Sequence, residues 1–184
     1  MKGFKDVIIL VLISTIAGLC LSLVYSGTKD QIAAAKKAAE QAAVKNVAPF
    51  MTEVPEADDF EFNNEVIPVY ASMKDGQLEG AALKITTPEG FSGNIVFLMG
   101  VDAAGAVTGF QILDSKETPG LGTKAADKPF WGQFLGKNID NFKFKVKKDG
   151  GDVDAITAST ITSRAVTHAM EKGLQVYKAY RGGA

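Results

Sequence analysis

The residues best suited to chemistry lie near the C-terminus. There Asp154-Ala155-Ile156-Thr157-Ala158-Ser159-Thr160-Ile161-Thr162-Ser163 sets five hydroxyl side chains within ten residues. Ala165, Val166, Ala169, Met170, Leu174, Val176 and Tyr177 then recur at helical spacing, which predicts a helix beginning near Thr160. Hydroxyl oxygens at a helix start satisfy free N–H groups, and those N–H groups together with the helix dipole favour an anion placed there. On its own the segment is either a capped helix or a holder of a phosphate-bearing group. A second segment, Glu117-Thr118-Pro119-Gly120-Leu121-Gly122, follows a β-type run that ends near Asp114. Pro119-Gly120 signals a type II turn, and two glycines let backbone approach a flat ligand. Read alone, this segment is a turn.

Other chemistries are excluded by composition. Cys20 is the only cysteine and His168 the only histidine, so no internal disulfide, no cysteine or histidine metal cluster and no Cys/His nucleophile pair can form within the chain. A net charge of −1 gives no reason to expect nucleic acid, and no glycine-rich phosphate loop of the P-loop or dinucleotide kind occurs. A metal centre built on cysteine or histidine is therefore not expected. Lysines outnumber acids between Lys124 and Lys148, and Phe142-Lys143-Phe144-Lys145-Val146-Lys147 alternates strictly, which predicts a half-buried strand with a solvated basic face.

The elements that must position these segments follow a simple order. Lys2 and Lys5 precede an uncharged apolar run from Val7 to Tyr25, which as a helix would reach roughly 28 Å, close to the hydrocarbon thickness of a bilayer. The run exceeds the usual length of a signal-peptide core and lacks a convincing small-x-small site after it, so it is expected to be an uncleaved anchor with its N-terminus in the cytoplasm. Thr28 to Val47, rich in alanine, lysine and glutamine, predicts a helical stalk closed by Pro49 and Pro55, and the acidic stretch Glu53 to Glu61 reads as a linker. Val66–Met73 and Gln77–Thr86 flank Asp75-Gly76 as a hairpin, and Gly93–Val101 and Ala106–Leu113 form a second. Asp127 to Leu135 predicts a short helix. The expected fold class is α+β: a transmembrane helix, then a twisted antiparallel sheet with a C-terminal helix packed on it. The expected segments are residues 1–27 for the cytoplasmic start and membrane helix, 28–62 for the juxtamembrane helix and linker, and 63–184 for the ligand-binding domain.

Together, the anchor, Gly90-Phe91-Ser92-Gly93, Gly105, the Glu-Thr-Pro-Gly-Leu-Gly loop and the Asp-x-x-Thr-Ala-Ser-Thr motif resemble the covalent-FMN family. Its best-known members are the G subunit of the Rnf ion-translocating electron-transport complex and the C subunit of the sodium-pumping NADH:quinone reductase. The resemblance implies FMN joined by a phosphoester to Thr160, with Thr157, Ala158 and Ser159 completing the motif and Glu117, Thr118, Gly120, Leu121 and Gly122 on the cofactor. Ala158 stands where the family usually has glycine, Ser159 where it has alanine, and Ser115 where a histidine is frequent. No histidine is suitably placed to activate Thr160, so attachment implies a separate flavin transferase. The compact length favours the Rnf member, an electron-relay component acting among other membrane subunits and in contact with lipid, with its FMN domain on the extracytoplasmic side of the cell membrane. A C-type component of the quinone reductase and a non-redox extracytoplasmic scaffold are the alternatives.

Overall fold

A computed structural model describes residues 2–183; Met1 and Ala184, the outer ends of the expected first and last segments, lie outside the described residues. The chain divides into two compact units, residues 1–40 and 41–184. Helix α1 runs over Lys2–Val47. In the first unit its apolar side chains are exposed all round, from Val7 to Val24, and it is long and apolar enough to cross a membrane. Two hydroxyls within the apolar stretch are satisfied by the helix itself: those of Ser14 and Thr15 donate to the carbonyls of Leu10 and Val11, each at 2.8 Å. Cys20 is an exposed free thiol on this helix.

The second unit is built on a five-stranded antiparallel meander: β1 (Asp58–Phe62), β2 (Glu65–Lys74), β3 (Gln77–Gly90), β4 (Gly93–Asp102) and β5 (Val107–Ser115), in that spatial order. Asp75 and Gly76 both take positive φ, the requirement of a tight two-residue hairpin loop, and they join β2 to β3 as the sequence predicts. Strand β1 lies within the segment that reads as an acidic linker. Its Phe60 and Phe62 pack towards the core, and Asn63 and Asn64, at φ of 52° and 63°, close a two-residue loop into β2.

The sheet is buried on both faces. Leu83, Ile85, Ile95, Phe97, Met99 and Val101 point to one side, where helix α3 (Thr160–Gly183) covers them with Val166, Met170, Leu174 and Tyr177. Each such large buried side chain contributes about 1.5–3 kcal/mol. Gly173 permits the close approach, since a Cβ there would lie 2.2 Å from Met99 Sδ. Ala82 and Leu98 point to the other side, against Ala43, Val44, Val47, Ala48 and Met51 from the end of α1 and the residues after it. That end sits in a notch of two paired glycines: a Cβ at Gly100 would fall 2.0 Å from the Val47 carbonyl oxygen, and one at Gly109 2.5 Å from Val47 Cα. Thr108 Oγ1 donates to the same carbonyl at 2.6 Å.

After β5 the chain makes a loop, a 3₁₀ turn at Gly122–Ala126 and the short helix α2 (Lys128–Trp131), which extends through a further 3₁₀ turn at Gly132–Phe134. The region predicted as a strand at Phe142–Val146 is not one. Phe144 and Val146 are buried and the intervening lysines exposed, as the alternation requires, but among the described residues only an isolated bridge from Val146 to Val153 forms and no neighbouring strand runs alongside.

Candidate functional site

Two of the segments singled out by sequence converge on one cavity. Its volume is about 340 Å³, and it is lined by Phe91, Glu117, Thr118, Leu121, Gly122, Ala158, Ser159, Thr160, Ile161 and Thr162. Thr160 is the first residue of α3 and half-buried. Ser159 is 7% exposed, and its carbonyl accepts both the Ser163 N–H at 3.0 Å and the Ser163 hydroxyl at 2.9 Å. The Ser163 hydroxyl in turn accepts the Ile156 N–H at 2.9 Å. This ring of bonds fixes the path into the helix. Among the described residues, no acceptor takes the N–H groups of Thr160, Ile161 and Thr162, so the first turn of α3 presents unpaired donors at the cavity wall.

The turn before the helix carries strain. Ser159 N–H donates to the Ile156 carbonyl at 3.0 Å, closing a four-residue turn in which Ala158 has φ of 60° while Thr157 does not enter the positive-φ region. That is the pattern of a type II turn, which asks for glycine at its third position. The physical reason for glycine at this place in the motif is therefore visible, and Ala158 holds the same path at a backbone cost.

The opposite wall is organised by Glu117, which is 6% exposed. Its Oε2 accepts the Thr162 hydroxyl at 2.8 Å and its Oε1 accepts the Ser92 N–H at 3.0 Å. One carboxylate thus ties the β3–β4 turn, the loop after β5 and the first turn of α3. Gly90 and Gly122 leave room for it: Cβ atoms there would lie 2.8 Å from Oε1 and 2.2 Å from Oε2. Gly120, at φ of 76°, shapes the loop without lining the cavity, and its N–H donates to Thr123 Oγ1 at 3.0 Å.

Thr157 is the one motif hydroxyl set apart. It is exposed and lines a neighbouring hollow with Lys124, Asp127, Gln133 and Asp154. Gln133, which sequence reasoning passes over, clamps that segment from 21 residues away: it donates to the Asp154 carbonyl at 3.2 Å and accepts the Asp154 N–H at 2.8 Å. A lone glutamine in a short helical segment carries no local signal for this. Thr162, which sequence reasoning also passes over, is visible there only as one more hydroxyl in a capping segment. His168 lies two helical turns beyond Thr160, exposed and 3.1 Å from Glu89.

Residues 90–175 match the family described as FMN-binding domain. The chain is 35% identical to the G subunit of the ion-translocating oxidoreductase complex of Aliivibrio fischeri, over 96% of this chain and 91% of that one. The chain belongs to this G-subunit family. It is also 34% identical to the G subunit of the Na⁺-translocating ferredoxin:NAD⁺ oxidoreductase complex of Acetobacterium woodii, over 95% and 91% of the two chains. The crystal structure of Shewanella oneidensis NqrC superposes with a TM-score of 0.53 at 19% identity, covering 70% of each chain, which is a likeness of fold. The cavity suits the family's group. It has the volume of a small-molecule site, unpaired helix-start donors for a phosphate and a largely apolar remainder for a flat ring.

Proposed function

We propose that this G-subunit family member is a membrane-anchored flavoprotein that carries FMN covalently on Thr160 and relays electrons within an ion-translocating ferredoxin:NAD oxidoreductase complex of the Rnf type. The observation that carries the reading is the meeting of Thr160, with the unpaired N–H groups of α3, and the Glu117–Gly122 loop around one cavity. The flavin supplies the redox chemistry when bound; the chain binds, orients and shields it. Thr160 Oγ1 is the attachment atom. The N–H groups of Thr160, Ile161 and Thr162 and the α3 dipole stabilise the phosphate charge by about 0.3–1 kcal/mol. Thr118, Leu121 and Gly122 form the facing wall and would hold the ring. Among the described residues no base is hydrogen-bonded to Thr160, and His168 is engaged with Glu89, so maturation depends on a separate flavin transferase. A carrier of this kind needs no general acid or base of its own.

The apolar stretch of α1 is assigned to the cytoplasmic membrane, with the domain on its extracytoplasmic side and the complex's other membrane subunits as partners. Intact mass of the full chain, purified from membranes after coexpression with a transferase, tests the reading. The expected result is a mass increase of one FMN phosphoester and an in-gel flavin fluorescence that is lost in Thr160→Ala. Fluorescence persisting in that variant refutes the attachment site, and an unmodified wild-type mass refutes the covalent cofactor.

A further inference from the structure

Among the ten residues lining the cavity, Glu117 is the only one with an ionisable side chain. It is almost fully buried, and its hydrogen-bond partners, the Thr162 hydroxyl and the Ser92 N–H, are both neutral. Burying a charge without a counter-charge is costly, and a neutral amide of the same shape could tie the same three segments, accepting from Ser92 N–H and donating to the Thr162 oxygen. The glycines at 90 and 122 nevertheless keep the space this carboxylate occupies. An acid rather than an amide at this place therefore calls for a use.

We propose that Glu117 is the electrostatic control on the redox group held in this cavity: an acidic side chain in its wall, its charge moderated by the Thr162 hydroxyl, that disfavours the reduced form and so lowers the potential. The proposal rests on the reading that the cavity holds FMN. In a dithionite titration at pH 8, two electrons pass from the reductant to the isoalloxazine and one proton enters from water, while dithionite is oxidised to sulfite. The ring thereby gains one net negative charge. A buried carboxylate in the same wall opposes that gain far more strongly than it would in water. The Thr162 hydrogen bond draws part of the carboxylate's charge and softens the effect.

The test uses the full chain, loaded by coexpression with a flavin transferase, with attachment verified by intact mass and folding by circular dichroism. Midpoint potentials are measured at pH 8 with mediator dyes. Glu117→Gln should raise the potential, so that at the wild-type midpoint the reduced-to-oxidised ratio increases by about tenfold. Thr162→Val should lower it, because the carboxylate loses the donor that draws off part of its charge. A merely structural role for the pair predicts no such opposition of sign. Loaded Glu117→Gln with an unchanged or lower potential overturns the proposal. Should that variant fail to fold, Thr162→Val decides, and a potential equal to or above wild type overturns it. A wild-type chain without attached flavin overturns the cofactor reading and this proposal with it, whereas attached flavin with unmoved potentials overturns this proposal alone.

Discussion

Replacing Ala158 by glycine separates backbone strain from packing at the entrance to α3. Ala158 is exposed, so removing its methyl group gives up little burial, and the sign of the effect is decided by the backbone. At φ of 60° the alanine Cβ crowds its own carbonyl, at a cost of about 1–2 kcal/mol that glycine does not incur. Glycine loses more freedom on folding, about 0.5–1 kcal/mol. The net expectation is a stabilisation of about 0.5–1 kcal/mol. Trp131 is the only tryptophan and stacks on Phe110 at a centroid separation of 6.5 Å, so its fluorescence reports on this domain alone. In urea titrations of the full chain in detergent, with a slope of about 2 kcal/mol per molar, the midpoint should rise by roughly 0.25–0.5 M. Ala158→Val should move it the other way, because a β-branched side chain is worse still at positive φ. A destabilised glycine variant, or a valine variant as stable as wild type, refutes the strain argument and with it the physical account of why glycine is usual here.

Two further perturbations probe other parts of the domain. Gly100→Ala places a methyl group 2.0 Å from the Val47 carbonyl and should cost about 1–3 kcal/mol, seen as a lower urea midpoint together with faster amide exchange at residues 43–51. Unchanged exchange there would mean that the end of α1 is not seated as described. The Arg164 guanidinium, hydrogen-bonded to Asp149 at 2.7 and 2.8 Å, holds that carboxyl below its ordinary range. Since the folded-state value is the depressed one, the pair's contribution is present above the unfolded value and is lost as pH falls through the folded one. Both groups are exposed, so the stability effect is small. A carboxyl titration followed by NMR should place Asp149 below unpaired aspartates and show it rising in Arg164→Ala, and no rise would refute the pairing.

Local chemistry explains which parts of this fold are legible in the sequence. The Asp75-Gly76 hairpin and the α3 periodicity are legible because their signals are short-range. Strand β1 escapes notice although Phe60 and Phe62 alternate with acids and Asn63-Asn64 is a loop signal, since the charge density there suggests a linker. The Phe142–Val146 alternation misleads in the opposite direction: a period of two reports which side chains turn inward, and says nothing about whether a partner strand exists. At the site, the motif locates Thr160 and the Glu117 loop. It cannot locate what depends on distant segments, namely the Gln133 clamp on Asp154, the Thr162–Glu117 bond across 45 residues, or the turn of Thr157 into a separate hollow.

The Gly100–Gly109 notch has a consequence for cutting this chain. A protease that nicks anywhere between Gln41 and Met51 would remove part of one covering of the sheet and lay Ala82 and Leu98 open to water. A fragment beginning at residue 63 would lose that covering entirely, and β1 as well. The cut that leaves this covering whole falls before Gln41, inside a helix, where the sequence offers neither a glycine nor a proline between Thr28 and Val47 to mark it.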